Sequence, residues 1–249
     1  MKHGQRYSLL IAYDGAAYAG WQVQPNQRTV QRELEAALRR LAGVPVKLHG
    51  SGRTDQGVHA AGQVAHCDLP FRLPAGNLAR ALNALLPADI RILGAHPVGA
   101  AFHARRSAVR KEYRYHIWNG DIISPFLRLY RTQIRAPLDV RAMRQAAALL
   151  VGRHDFAAFT ANPNREVEST RRHVMKLTVS RKGPEIVIRA QSDGFLYKMV
   201  RSLAGFLIRV GEGAVPPEEA RRILHSKIRT ARVPTAPPQG LFLWRVWYV

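Results

Sequence analysis

The stretch LHGSGRTDQGVHAAGQ, residues 48–63, holds an arginine and an aspartate between glycines. Gly50, Gly52 and Gly57 permit backbone conformations with positive φ and let another chain come close. The carboxylate of Asp55 therefore has two interpretations. Asp55 is an ordinary turn residue between strands, or its carboxylate acts on a ligand that the glycines allow to approach. The loop taken alone slightly favours the turn.

Several familiar sites are excluded by the residue types in and around this loop. Gly52 and Gly57 have the spacing of a phosphate-binding P-loop, but Val58 and His59 follow where Lys and Ser or Thr are required. Asp55 occupies the third glycine position of a dinucleotide fingerprint. The ten histidines show no metal-ligand spacing, and no G-x-S-x-G elbow occurs. The chemistry left is that of a carboxylate beside arginines, without metal or cofactor.

A second segment, residues 102–118, interleaves aromatic and basic residues as FHARRSAVRKEYRYHIW. In a strand, alternation places Tyr113 and Tyr115 on one face and Glu112, Arg114 and His116 on the other. Aromatic faces stack exposed bases, and basic neighbours hold the nucleic-acid backbone. The alternative is that both tyrosines pack in the core, and the pattern favours neither interpretation.

The charge of the chain indicates a polyanionic partner. Thirty-eight Lys and Arg residues against 17 Asp and Glu give a formal net charge of +21, and 31 of the basic residues are arginines. The arginine fork matches phosphate and stacks on rings, so this excess suits nucleic acid. A coding bias towards arginine would explain Arg over Lys, but not the scarcity of acids.

Other features favour a cytoplasmic location. The single cysteine, Cys67, excludes an internal disulfide, and its place in an alternating segment predicts a packed strand residue. The N-terminus does not resemble a signal peptide, and no apolar run approaches the length of a membrane span. We therefore expect a cytoplasmic protein that does not bind membranes.

The loop must be positioned by strands and helices that the pattern of apolar residues predicts. Predicted strands cover 7–14, 46–49, 58–67, 91–98, 111–118, 172–179, 185–191 and 241–249. Predicted helices cover 30–42, 77–86, 140–150 and 195–210, with Thr29 and Asp139 as N-caps.

Helices alternating with strands, some joined by short turns, predict an α+β fold rather than a fully parallel sheet. The motif D-G-x-x-Y occurs at both Asp14 and Asp193. This weak echo suggests two related halves, 1–105 with the Asp55 loop and 106–249 with Tyr113 and the long apolar helix.

Over essentially its whole length the chain resembles the tRNA pseudouridine synthase A family. The resemblance is carried by six segments in the same order: YDGAAYAGWQVQ, SGRTDQGVHAAGQVAH, FHARRSAVRKEYRYHIWN, DFAAF, VRSLAGFLIRVG and GLFLWRV. The G-R-T-D-x-G-V-H loop is the most specific of them.

The resemblance implies a role for four residues. Asp55 corresponds to the family's catalytic aspartate, and Arg53 to an arginine that helps hold the target nucleotide out of its stem. Tyr113 corresponds to the tyrosine that packs against the target base, and Arg201 to an arginine that pairs with the catalytic carboxylate. Ser202 stands where the family pattern has Asn, so a local hydrogen bond is expected to differ.

The resemblance also implies the architecture and the reaction. The family has two similar α/β halves with mainly antiparallel sheets side by side and an active cleft between them, and it works as a homodimer without cofactor. Its substrates are uridines 38, 39 and 40 of the tRNA anticodon arm. Two other classes remain as alternatives: an RNA-binding module without chemistry, and a nucleoside hydrolase, which usually needs two facing carboxylates.

Overall fold

The computed structural model describes residues 4–161 and 168–249. The chain divides into two compact units. The first contains the residues up to Val109 together with Phe242–Val249, and the second is Arg110–Leu241. Each unit is described by itself below.

From Phe242 onward the last strand of the chain belongs to the first unit, where it pairs with an earlier strand. Phe242 lies opposite His59 and Leu243 opposite Ala60 in a parallel pair. The internal similarity of the two halves predicted from the sequence, 1–105 and 106–249, stays a prediction.

The first unit combines a mainly antiparallel sheet with two helices. Its elements are β1 (Gln5–Tyr13), α1 (Val30–Ala42), β2 (Leu48–Gly50), β3 (His59–Leu69), α2 (Ala75–Leu85), β4 (Ile90–Val98) and β10 (Leu241–Tyr248). The strand order is β4-β1-β3-β10, with β2 also paired to β3. Helix α1 has the predicted bounds because both ends are capped. The Thr29 side chain accepts a hydrogen bond from the backbone N–H of Arg32, and Gly43 takes the left-handed conformation that ends the helix.

The second unit combines a mainly antiparallel sheet with three described α-helices. Its elements are β5 (Ala108–Asn119), β6 (Thr132–Ile134), α3 (Val140–Leu149), β7 (Gly152–Asp155), β8 (Arg171–Lys182), β9 (Glu185–Ser192), α4 (Met199–Gly211) and α5 (Glu219–Ser226), with 3₁₀ turns at Ala157–Phe159 and Pro238–Gly240. The strand order is β5-β9-β8-β7, with the short β6 parallel to β5. Asp139 caps α3 as predicted, by accepting from the backbone N–H groups of Arg141 and Ala142.

Helix α4 starts later than the sequence predicts. The predicted start was Phe195, but the helix begins at Met199, because Lys198 lies in the left-handed region with φ 54°. The apolar residues before it continue the helical pattern without being helical. Helix α5 and strands β6 and β7 are short elements that the sequence pattern did not predict.

The predicted mixed class, with mainly antiparallel strands, is confirmed. Cys67 is buried in β3, and burial raises the pKa of its thiol to about 12, as expected for a packed strand residue. Within residues 4–161 and 168–249, no helix has both the length and the apolar character needed to cross a membrane.

Candidate active site

Asp55 lies in the loop that joins β2 to β3. Its side chain is half-buried, whereas Arg53, two residues earlier, is exposed. The backbone N–H of Val58 donates to the Asp55 carbonyl at 3.1 Å, closing the turn. Of the three loop glycines, only Gly57 has the positive φ expected from the sequence, at 74°.

Thr54 attaches the loop to strand β1 and to the segment that follows it. Its hydroxyl shares a hydrogen bond of 2.8 Å with the phenol of Tyr13. Its carbonyl accepts from the backbone N–H of Trp21 at 3.1 Å. The hydroxyl and the backbone carbonyl of Thr54 are both hydrogen-bonded. The position of Thr54, directly before Asp55, is therefore fixed by its side chain and by its backbone.

Two glycines let this segment approach the loop. A Cβ on Gly20, whose φ is 102°, would lie 2.7 Å from the Thr54 carbonyl oxygen and 3.1 Å from the Asp55 carbonyl carbon. A Cβ on Gly50 would lie 2.7 Å from the Trp21 ring. Gly50 is therefore required for space rather than for positive φ.

Gln63 supports the start of the loop from strand β3. Its amide carbonyl accepts from the Ser51 hydroxyl at 2.7 Å, and its amide NH₂ donates to the Gly52 carbonyl at 2.9 Å. Both Ser51 and Gln63 are buried. Sequence reasoning did not identify the supporting roles of Tyr13, Gly20 and Gln63. The available signal was their position in the segments shared with the family. Tyr13 and Gly20 belong to YDGAAYAGWQVQ, and Gln63 belongs to SGRTDQGVHAAGQVAH.

Tyr113 lies on β5, with 8% of its side chain exposed. Its ring packs edge-to-face on Phe195, with the centroids 5.2 Å apart. Tyr115, on the same face, is fully buried. This placement fits core packing, and the contact of Tyr113 with a base stays a prediction.

The neighbouring Glu112 is a buried carboxylate, with 1% exposure. It accepts from Arg114 Nε at 2.8 Å, from an Arg189 terminal nitrogen at 2.6 Å and from the Gln191 amide at 2.6 Å. Burial alone raises the pKa of a carboxyl, but these donors hold the pKa of Glu112 below its usual value. Glu112 therefore stays ionised and ties β5 to β9.

Arg201 lies in the first turn of α4 and is half-buried. Its Nε donates to the Ala236 carbonyl at 2.7 Å. The next residue, Ser202, is fully buried, and its hydroxyl accepts from Arg229 at 2.8 Å. The serine that departs from the family pattern thus has a defined partner.

The predicted site residues are distributed over both units. Arg53 and Asp55 share one loop of the first unit, whereas Tyr113 and Arg201 belong to the second. In the described part of the chain, no group of three or more His, Cys, Asp or Glu side chains could hold a metal ion.

Comparisons with known proteins agree on one family. The family model described as tRNA pseudouridine synthase matches residues 9–105 and 146–249. These ranges include Arg53, Asp55 and Arg201, whereas Tyr113 lies between them.

Relatives named tRNA pseudouridine synthase A cover almost the full length. The protein of Exiguobacterium sp. is 45% identical over 98% of this chain and 98% of its own length. That of Brevibacillus brevis is 45% identical over 98% of this chain and 100% of its own. That of Limosilactobacillus fermentum is 42% identical over 98% and 96%. A solved archaeal box H/ACA sRNP Nop10-Cbf5 complex matches with a TM-score of 0.33 at 14% identity, covering 81% of this chain and 44% of that one, which is too low to bear on the fold.

The family model and these relatives define the protein as an RNA-modifying isomerase. The chain belongs to the tRNA pseudouridine synthase family.

Proposed function

We propose that this protein converts uridines 38, 39 and 40 of the tRNA anticodon arm to pseudouridine, with Asp55 as the catalytic residue. The observation that carries the proposal is the half-buried carboxylate of Asp55 in a loop anchored through Thr54, inside a segment that the family model matches. An ordinary surface turn does not need such anchoring, whereas a catalytic group must be held in one geometry.

The proposed reaction is an isomerisation that requires few chemical groups besides a carboxylate. The bond between ribose C1′ and uracil N1 breaks, the base rotates, and C1′ bonds to C5. The proton that leaves C5 is balanced by one gained at N1. No electrons are exchanged, so we propose that the enzyme uses no metal and no cofactor. Asp55 attacks C1′, attacks C6 or relays a proton, and these three roles remain alternatives.

Two arginines and one tyrosine complete the proposed site. A base within a stem must be flipped out, at a cost of roughly a few kcal/mol. Arg53 is exposed and is proposed to offset part of this cost by filling the gap or binding phosphate. Tyr113 is proposed to pack against the target base, and Arg201 to pair with the catalytic carboxylate, favouring its ionised form.

The setting of the reaction is also a proposal. The net charge of +21 suits the tRNA phosphates. By analogy with the family, we propose that the protein acts as a homodimer in the cytoplasm.

The decisive variant is Asp55→Asn. Asn keeps the size and turn preference of Asp and can still accept a hydrogen bond, but it lacks the charge and the nucleophilic oxygen. Pseudouridine formation should fall by about four orders of magnitude or more, with tRNA affinity and thermal stability close to wild type. Pseudouridine is mapped on unmodified tRNA transcript, and affinity is measured on the same transcript.

Asp121→Asn is the matched control, because Asp121 is an exposed turn residue outside the site, and it should behave as wild type. Normal turnover by the Asp55→Asn variant would refute catalysis by Asp55 and favour the turn. If neither the wild-type protein nor the Asp55→Asn variant modified the tRNA, the result would favour an RNA-binding module without chemistry. Release of free uracil would indicate a hydrolase.

A further inference from the structure

The segment 234–237, which we call the strap, precedes β10 and lies along helix α4. Arg201 Nε donates to the Ala236 carbonyl at 2.7 Å, and the Ala236 N–H donates back to the Arg201 carbonyl at 3.0 Å. A guanidinium is a rigid plane, so fixing its Nε also fixes the direction of its two terminal nitrogens. The position of the strap therefore contributes to the orientation of Arg201.

The strap packs against α4 at backbone distance. A Cβ on Gly205 would lie 2.1 Å from the Pro234 carbonyl oxygen and 3.3 Å from the Ala236 nitrogen. At the other end of the strap, the Tyr115 phenol donates to the Pro237 carbonyl at 2.9 Å. The close approach means that a small displacement of the strap would move the Ala236 carbonyl away from Arg201.

Arg229 connects the strap to two other elements. Its terminal nitrogens donate to the Thr235 hydroxyl at 2.9 Å, to the Ser202 hydroxyl at 2.8 Å and to the Thr160 carbonyl at 3.2 Å. One guanidinium thus joins the strap, helix α4 and the end of the 3₁₀ turn at Ala157–Phe159. All three acceptors are neutral oxygens, and burial lowers the pKa of Arg229. Burying a cation costs free energy, and the three hydrogen bonds offset part of that cost, so Arg229 is held firmly to all three acceptors.

We propose that Arg229 is a positioning residue, which holds the strap on α4 so that the Ala236 carbonyl orients the Arg201 guanidinium. This inference rests on the proposed function, because the orientation matters only if Arg201 acts at the catalytic carboxylate. The hydrogen bonds of Arg229 go to Thr160, Ser202 and Thr235. Its effect on the reaction passes through Thr235 and Ala236.

The first test compares Arg229→Met with Arg229→Lys in steady-state kinetics on tRNA transcript. Met removes all three hydrogen bonds, and we expect kcat to fall about tenfold or more while KM stays within about twofold, since misplacing a catalytic group by a fraction of an ångström has effects of this size. Lys keeps the charge but cannot reach three separate acceptors, so its kcat should be intermediate.

The second test is a double-mutant cycle with Arg201→Met. If Arg229 acts through Arg201, adding Arg229→Met to the Arg201→Met variant should change kcat by less than about twofold. A merely structural contribution would lower kcat in both backgrounds by a similar factor and would follow the loss of thermal stability. Thr235→Val removes one acceptor and leaves Arg229 in place, so it decides the question if the Met variant fails to fold.

Arg232→Met is the matched control. Arg232 lies in the same stretch of chain, but its side chain pairs with Glu219 in α5, and its loss should leave kcat unchanged. If Arg201→Met lowers kcat while Arg229→Met and Thr235→Val do not, the inference fails and the proposed function stands. If Arg201→Met leaves kcat unchanged, the proposed role of Arg201 fails.

Discussion

At the scale of single residues, Tyr113 has two possible tasks that a substitution can separate. Its ring is almost fully buried against Phe195, so it contributes to the core whether or not it also meets a base. Core packing depends on the ring, and contact with a flipped uracil depends on the same ring. The two tasks differ in which measured quantity each affects, because packing affects stability and base contact affects turnover.

Tyr113→Ala should lower turnover more than tRNA binding. Base–aromatic stacking contributes ~1–3 kcal/mol, so we expect kcat to fall about 5- to 150-fold. The dissociation constant of tRNA should change less than about threefold, because phosphate contacts dominate affinity. Removing the buried ring should also cost about 3–5 kcal/mol of stability, so kinetics are measured well below the unfolding midpoint of the variant.

Tyr113→Phe retains the ring and serves as the control, with most of the turnover and stability preserved. Wild-type kcat in a folded Tyr113→Ala variant would show that the residue only packs in the core.

Glu112 leads to a prediction on pH. Its folded-state pKa lies below the ordinary value, so its contribution to stability is fully present above the unfolded-state pKa, about 4.3, and is lost as the pH falls through the folded-state pKa. At pH 7, Glu112→Gln should lower the free energy of unfolding by about 2 kcal/mol, less than for a fully buried pair because Arg114 and Arg189 are partly exposed.

Denaturant titrations between pH 7 and pH 3 measure this effect. The difference between wild type and Glu112→Gln should be constant down to about pH 5 and should shrink below the ordinary carboxyl pKa. Glu212→Gln is the control, since Glu212 forms an exposed pair with Arg209 on α4, and it should cost less than about 0.5 kcal/mol. A pH-independent difference for Glu112→Gln would contradict an ionised, paired carboxylate.

At the scale of elements, the β2–β3 loop is positioned by the segment that follows β1. Gly20 and Gly43 offer a comparison, since both have positive φ, 102° and 72°. Any side chain at either position therefore strains the backbone by ~1–2 kcal/mol. The two glycines differ in what surrounds them. A Cβ at Gly20 meets the Thr54 carbonyl, whereas a Cβ at Gly43 has no atom of the described residues within 4 Å apart from those of Gly43 and its chain neighbours.

Gly20→Ala should therefore displace the Asp55 loop and lower kcat about tenfold or more. Gly43→Ala should lose only the ~1–2 kcal/mol of backbone strain, visible as a lower melting temperature, while keeping wild-type kcat. Equal kcat in the two variants would contradict the view that contact with Gly20 positions the loop. Turnover on tRNA transcript and thermal unfolding of both variants provide the comparison.

At the scale of the whole molecule, charge dominates the expected encounter with tRNA. A net charge of +21 with 31 arginines provides many phosphate contacts and a long-range attraction. Each phosphate neutralised releases counterions, so affinity depends on salt.

If about six or more phosphate contacts form, tRNA affinity should fall about a thousandfold between ~50 and ~200 mM salt. Binding titrations across this range, on tRNA refolded at each salt concentration, give the slope. A dissociation constant that is indifferent to salt would contradict a polyanion-binding surface.

Local signals in the sequence were sufficient to predict much of the secondary structure. Helix α1 has the predicted bounds because Thr29 and Gly43 cap it with their own side chain and backbone. The hairpin of β8 and β9 follows from alternation around a short turn. The loop motif identified Asp55 as a candidate and, with the other five segments, the family.

Only the tertiary structure decided which residues support the Asp55 loop and which groups the arginine side chains, such as that of Arg189, contact. Tyr13 meets Thr54 across 41 positions, and Arg189 meets Glu112 across 77. Just before helix α4, the Tyr197 carbonyl accepts from the distant Ala161 N–H. A periodic pattern reports only which face of an element is buried. These contacts depend on how distant segments meet, and that is set by the packing of the whole unit.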